Sequence, residues 1–288
     1  MKSVYHLADL QAGLPSEEAI RLGVLGDPVA HSRSPEMQNA ALVQVGSAWR
    51  YARFQIAPHE LAEALQLMGR LGFRGVNLTV PHKLAGLALV DDVDGFAAAV
   101  GAINTIVFRG GRRFGANTDG PGFERAIAES FGVALQDQRV LLLGAGGGAG
   151  RAVATQCARV GCRSLLLVNR EPAKAEALAR RLQGPEIVAV PWSDDSLGAA
   201  LVRSDLVVQA TALGLRSGDP SPLPAGRLEP RHLVYDLVTQ PTALLAEARL
   251  AGAAAASGLT MLLHQGALAF EFWLEQTAPL AQMRAALE

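Results

Sequence analysis

Along this chain the period of apolar positions switches repeatedly between two and about 3.6, and the switches predict two stretches of alternating strand and helix. Residues 22–25 are a short apolar run, broken by Gly26-Asp27-Pro28. Ser34-Pro35 opens a helix to about residue 45, with Ser34 as N-cap and Pro35 at the first helical position. Residues 51–56 alternate as a strand does, and residues 58–71 place Leu61, Leu65 and Met68 on one helical face. A strand over 75–80 ends at Pro81; another covers 102–108, and Gly110-Gly111 then signals a hairpin. This β-α-β-α-β order predicts a mostly parallel sheet with crossover helices.

The second stretch begins near Gly120 with a helix over 122–131. The apolar run Val140-Leu141-Leu142-Leu143 follows, then Gly144-Ala145-Gly146-Gly147-Gly148-Ala149 and a helix to about residue 160. A strand over 165–168, a helix over 173–182, and strands at 205–210 and 233–238 complete the alternation of a doubly wound nucleotide-binding domain. Residues 251–256 are small and helix-favouring, and Met261-Leu262-Leu263-His264-Gln265-Gly266 leads into a long apolar helix through Trp273. That helix is expected to pack back on the first stretch. The expected architecture is α/β in two domains with a cleft between them. Residues 1–119 with 258–288 form an N-terminal α/β substrate domain, and residues 120–257 a Rossmann-type domain.

Composition narrows the class. Among 288 residues, 50% are apolar, 18% charged and 5% aromatic, which suits helix-on-sheet packing. A net charge of -1 without a basic block gives nucleic acid no footprint. No apolar run approaches the ~20 residues of a membrane span. Residues 1–18 lack the apolar core of a signal peptide. Cys157 and Cys162 have no His or Cys at ligand spacing and read as buried, reduced thiols, so a cytoplasmic protein is expected.

Four groups carry chemistry. The glycine loop stands between strand and helix, where backbone approach to a pyrophosphate requires glycine. In a Gly-x-Gly-x-x-Gly register the third position is Ala149, although Gly150 follows and the loop reads one residue long. At the end of the next strand stand Asn169-Arg170-Glu171, with Lys174 one turn on. Arg170 suits a 2′-phosphate and thus NADP, whereas the charge of Glu171 opposes one. Ser32 and Ser34 bring two hydroxyls to a helix start, a good place for a carboxylate. Lys83, just after Pro81, and Asp119, in Asn117-Thr118-Asp119-Gly120, make an acid/base pair if they meet; from composition alone they read as two solvated charges.

At these residues the chain resembles the shikimate dehydrogenase family. The shared motifs are Gly26-x-Pro28-x-x-His31-Ser32-x-Ser34-Pro35, Asn77-x-Thr79-x-Pro81-x-Lys83, Gly101-Ala102-x-Asn104-Thr105, Asn117-Thr118-Asp119-Gly120, the glycine loop, Asn169-Arg170 and Gln265-Gly266. The resemblance implies reversible NADPH-dependent reduction of 3-dehydroshikimate to shikimate, on the route to chorismate and the aromatic amino acids. It implies that Ser32 and Ser34 bind the substrate carboxylate and that Thr79, Asn104, Gln265 and Asp119 hold its hydroxyls. Lys83, paired with Asp119, would be the catalytic acid/base. Gly144, Ala145, Gly146, Gly147, Gly148, Ala149, Asn169, Arg170, Lys174 and Thr211 would contact NADP. Family members occur as monomers and dimers.

Three positions depart from the family pattern. Gln38 precedes Asn39 where a histidine is usual, Thr239 replaces a tyrosine that touches substrate, and Gln209 stands where asparagine is usual in Gln209-Ala210-Thr211. A paralogue acting on quinate or aminoshikimate, possibly with NAD, and a non-catalytic ligand sensor are the alternatives.

Overall fold

The computed structural model describes every residue except Met1, Ser16, Glu17 and Pro185. Its contacts divide the chain into two compact units, Met1–Thr118 with Gln265–Glu288, and Asp119–His264.

In the first unit the order is α1 (Leu7–Ala12), β1 (Ile20–Gly26), α2 (Ser34–Gln44), β2 (Arg50–Gln55), α3 (Leu61–Arg70), β3 (Gly75–Leu78), α4 (His82–Ala85), β4 (Asp92–Val93), α5 (Gly95–Val100), β5 (Thr105–Arg109) and β6 (Arg112–Ala116). The sheet order is β2-β1-β3-β5-β6-β4. β1 pairs parallel with β2 and β3, and β4 parallel with β6; β5 runs antiparallel to β3 and β6. The hairpin signal holds: Gly110 and Gly111 have φ of 57° and 73°, so two glycines turn β5 into β6. Leu61, Ala64, Leu65 and Met68 of α3 pack on one face of this sheet, against residues such as Phe54, Val76 and Ile106.

The second unit runs α6 (Asp119–Phe131), β7 (Arg139–Leu143), α7 (Gly148–Val160), β8 (Ser164–Val168), α8 (Pro172–Arg181), β9 (Glu186–Val190), α9 (Asp194–Val202), β10 (Leu206–Gln209), β11 (Leu233–Asp236), α10 (Ala243–Leu250) and β12 (Ala254–Ser257). Its sheet, β12-β11-β10-β7-β8-β9, is parallel throughout. Strand alternation divides the core cleanly. Val140, Leu142, Leu165 and Leu167 face a cluster with Phe123, Val153 and Cys157, whereas Leu141, Leu143, Leu166 and Val168 face Leu197, Leu201 and Leu244. Helices therefore cover both faces of a sheet apolar on both sides.

Two further helices follow, α11 (Leu259–Leu274) and α12 (Leu280–Ala285). From Gln265 onward α11 belongs to the first unit, where buried Trp273 donates Nε1 to the Ile106 carbonyl at 3.0 Å and lies 5.9 Å from the Tyr51 ring. A Cβ at Gly75 would overlap that indole, which explains a glycine at the start of β3.

The alanine-rich segment corrects the sequence reading. Residues Ala254–Ser257 form β12 and pair with β11. Helix propensity there yields to the ladder that β11 offers, because alanine's preference amounts to tenths of a kcal/mol per residue. Ser34 is also not the N-cap: Arg33 holds that position and Ser34 is the first helical residue. It is the Ser32 hydroxyl that accepts from the Ser34 amide, at 3.3 Å. Among the described residues no helix is long and apolar enough to cross a membrane.

Candidate functional site

The topology of the first sheet decides where its polar motifs go. β1 is flanked by β2 and β3, so chain crossovers leave in opposite senses from its C-terminal end. The motifs after Gly26 and Leu78 emerge there. Because β5 and β6 invert, Asn104 and Thr105 at the start of β5 and Asn117 and Thr118 after β6 arrive at the same edge. Asn77 pairs with Thr105 and Thr105 with Ala116 in register.

At that edge the side chains hold one another. Buried Tyr51 donates its hydroxyl to Asn77 Oδ1 at 2.7 Å. Asn77 Nδ2 donates to the Asn104 carbonyl at 3.0 Å and to Thr105 Oγ1 at 3.1 Å. Asn104 Oδ1 accepts from the Thr118 amide at 2.8 Å, while its Nδ2 reaches Thr118 Oγ1 at 2.9 Å and Gln265 Oε1 at 3.4 Å. Asn117 Nδ2 donates to the Ala102 carbonyl at 2.9 Å. Burial pushes the Tyr51 hydroxyl well above its ordinary range, opposed by a hydrogen bond from Ser34 and by Arg53 nearby. The polar line thus runs from Ser34 through Tyr51, Asn77 and Asn104 to Gln265. Fully satisfied, such a network holds its members in single orientations.

Lys83 is half-buried on the short helix α4, and its carbonyl accepts from the Ile103 amide at 2.9 Å, fixing it beside Asn104. Its neighbour His82 is buried and donates Nε2–H to the Ile56 carbonyl at 2.8 Å. His82 Nδ1 is buried without a partner, and burial lowers the imidazole's pKa. Thr79 is half-buried one residue beyond β3, with its amide on the Leu25 carbonyl at 2.9 Å. Ser32 adjoins Ser34 as described. In the first unit, therefore, Ser32, Ser34, Thr79, Lys83, Asn104 and Gln265 are placed by one sheet edge and the helix ends beside it. Asp119 is buried at the start of α6 in the second unit.

The second unit's site follows from its own reversal, between β7 and β10. Gly144 follows β7 with a φ of 93°, and a Cβ there would stand 2.7 Å from the Ala210 carbonyl and 2.8 Å from the Thr211 amide. Thr211 is thereby brought against the start of the glycine loop. A Cβ at Gly150 would overlap the Gly144 carbonyl and come within 3.1 Å of Ala145 Cα. Gly150, not Ala149, is the glycine that close packing of α7 requires, and the loop is one residue longer than the common register. Gly147 has nothing within 4 Å of its would-be Cβ. Open space over the N-terminus of a 13-residue helix suits a pyrophosphate.

Asn169 and Lys174 reach this loop from β8 and α8. A Cβ at Gly146 would overlap Asn169 Nδ2 and stand 3.0 Å from Lys174 Cδ. Arg170 is exposed at the end of β8. Arg151, on the first turn of α7, donates Nε–H to the Gly146 carbonyl at 3.2 Å; burial and the nearby Arg181 lower its pKa. With Lys174 and Arg181 it lines a concavity of about 280 Å³.

Of the departures, Gln38 is buried and donates Nε2–H to the Gly266 carbonyl at 2.9 Å, tying α2 to α11. Gln209 donates Nε2–H to the Leu213 carbonyl at 2.7 Å and accepts from the Thr211 amide, so it braces the segment beside the glycine loop. Thr239 is half-buried in a bend after β11. Sequence reasoning assigned no role to Tyr51, Gly150 or Arg151. For Tyr51 the signal was a phenol on an inward position of an alternating strand, since a buried hydroxyl needs a partner.

Comparison with known proteins gives a consistent result across the chain. The shikimate dehydrogenase substrate binding domain matches residues 24–106, the shikimate / quinate 5-dehydrogenase family residues 126–215, and the shikimate 5′-dehydrogenase C-terminal domain residues 258–288. A shikimate dehydrogenase (NADP(+)) of Desulforamulus reducens is 44% identical over 269 residues, covering 91% of this chain and 92% of that protein. Shikimate dehydrogenase from Aquifex aeolicus superposes with a TM-score of 0.87 at 32% identity, covering 96% of this chain and 99% of that one. Shikimate 5-dehydrogenase from Thermus thermophilus, solved with NADP(H) and shikimate, gives 0.82 at 41% identity, covering 93% and 98%.

Proposed function

The chain belongs to the shikimate dehydrogenase family, and on that premise we propose that it catalyses the reversible NADPH-dependent reduction of 3-dehydroshikimate to shikimate. One observation carries the reading: the satisfied network of Tyr51, Asn77, Asn104, Thr118 and Gln265 at the sheet edge that also carries Ser32, Ser34, Thr79 and Lys83. A small polyhydroxylated ring with one carboxylate matches that donor set.

Ser32 and Ser34 hold the substrate carboxylate, and Thr79, Asn104 and Gln265 its hydroxyls. When bound, the nicotinamide supplies or accepts the hydride. Lys83 moves the accompanying proton at the oxygen of the reacting carbon, taking it in oxidation and giving it in reduction. The family resemblance gives Asp119 the role of second catalytic residue. In the second unit, residues 144–149 hold the pyrophosphate with Thr211 beside them, and Asn169, Arg170 and Lys174 receive the ribose 2′-phosphate. The substrate domain is proposed to span residues 1–119 and 258–288 and the nucleotide domain 120–257, bounds that differ from the compact units at Asp119 and at residues 258–264. The reaction is placed in the cytoplasm, a reading supported by the buried free thiols Cys157 and Cys162.

The test is nicotinamide reduction by the purified protein with shikimate or quinate, each with NADP or NAD. Turnover is expected to be fastest with shikimate and NADP. A preference for quinate would assign the protein to a paralogous activity. No turnover in any combination, with nucleotide still bound, would make it a sensor.

A further inference from the structure

Glu171 occupies an unusual place at the end of β8. It is the N-cap residue of α8, yet its side chain makes no cap hydrogen bond to the helix. Its carboxylate instead reaches along the first turn to Lys174, with Oε1 2.6 Å from Nζ. Its amide donates to Asn169 Oδ1 at 2.9 Å, and Asn169 Nδ2 and the Lys174 stem both lie against Gly146. Lys174 therefore rests on the glycine loop with an anion already on its ammonium. Arg151 and Arg181 line a concavity together with Lys174, so Lys174 stands among further cations.

We propose that Glu171 is a specificity-determining residue that acts as a built-in competitor: its carboxylate sits on Lys174 where the ribose 2′-phosphate of NADP would otherwise sit. The inference rests on the assignment of Lys174 to the 2′-phosphate. Lys174 and Glu171 are 47% and 68% exposed, so water screens the pair and a phosphate dianion displaces it. Displacement uses part of the phosphate's attraction, and the displaced carboxylate still repels it. A nucleotide with a free 2′-hydroxyl meets no such opposition, so the clasp narrows the gap between NADP and NAD.

The experiment is calorimetric binding of adenosine 2′,5′-bisphosphate and adenosine 5′-phosphate to the full chain and to Glu171→Gln, Lys174→Ala and the double variant. Glu171→Gln is expected to tighten the bisphosphate by about fivefold, the scale of one exposed ion pair, and to leave the monophosphate unchanged. In the Lys174→Ala background the same substitution is expected to give a clearly smaller gain, that of the residual repulsion alone. An equal gain in both backgrounds would overturn the clasp, because Glu171 would then act only through its general field. If Lys174→Ala weakens the bisphosphate but Glu171→Gln leaves it unaltered, the clasp alone falls. If neither substitution has an effect, Lys174 is not at the 2′-phosphate, and the assignment falls with the inference.

Discussion

At the polar edge of the first sheet, recognition is built from side chains: Tyr51, Asn77, Asn104, Thr118 and Gln265 are buried or nearly so and bond mainly to each other. At the corresponding edge of the second sheet it is built from side chains left out, since Gly144, Gly146 and Gly150 each stand where a Cβ would collide. The first arrangement reads a ligand through fixed dipoles and tolerates little exchange. On the proposed reading, the second lets backbone approach a phosphate and leaves discrimination to exposed Arg170 at the end of β8 and Lys174 on α8. Substrate choice should thus be rigid and nucleotide choice easily moved by single surface substitutions.

The comparison is sharpest at Lys83. Lys83→Ala is expected to lower kcat by about a thousandfold, the scale of a lost acid/base group, with nucleotide affinity unchanged. Steady-state kinetics together with NADP titration check this; equal losses in both would remove Lys83 from proton transfer. Next in size, Gly150→Ala is expected to weaken NADP by about 2 kcal/mol, the cost of forcing a methyl into packed backbone, and to spare shikimate binding. Unchanged NADP affinity would return the third-glycine role to Ala149.

Asn77→Leu strands the Tyr51 hydroxyl and the Asn104 network. It is expected to cost about 1–2 kcal/mol of stability and to raise the KM for shikimate, with the KM for NADP unmoved. Urea unfolding and kinetics read the two effects separately. The smallest effect concerns His82. Its folded pKa lies below the ordinary 6.5 because burial disfavours the charged ring. Above 6.5 both folded and unfolded chains are neutral there and the stability is fully present. As pH falls through 6.5 the unfolded chain takes up a proton that the folded one resists, and stability is lost at up to about 1.4 kcal/mol per pH unit. His82→Gln is expected to flatten that slope in urea midpoints taken between pH 7.5 and 5.5; an unaltered slope would assign it to other groups.

Much of the second unit was legible because its strands carry strong signals: the runs at 140–143 and 165–168 are too apolar to be anything but buried. β12 was not, since four residues of Ala-Ala-Ala-Ser carry neither alternation nor branching, and only the neighbouring ladder makes them a strand. The family resemblance pointed to Asn104 and Gln265, but their mutual contact depends on where α11 lands, which no local pattern encodes. Ser34 was read as a cap from the Ser-Pro pattern, whereas Arg33 holds the N-cap position and the Ser32 hydroxyl accepts from the Ser34 amide. Gly150 was visible but ambiguous, because glycine count cannot tell which residue meets the Gly144 carbonyl.

The return of residues 265–288 to the first unit bears on the order of events at the ribosome. Residues 119–264 are contiguous, so the contacts within their unit are all available once they have emerged. The first unit's sheet must wait for residues that follow the second unit in the chain, because Trp273 supplies the indole over Gly75 and the donor for the Ile106 carbonyl. While the second unit is being synthesised the nascent chain therefore exposes an unfinished apolar surface around Tyr51, and the first unit is completed only after the second has emerged.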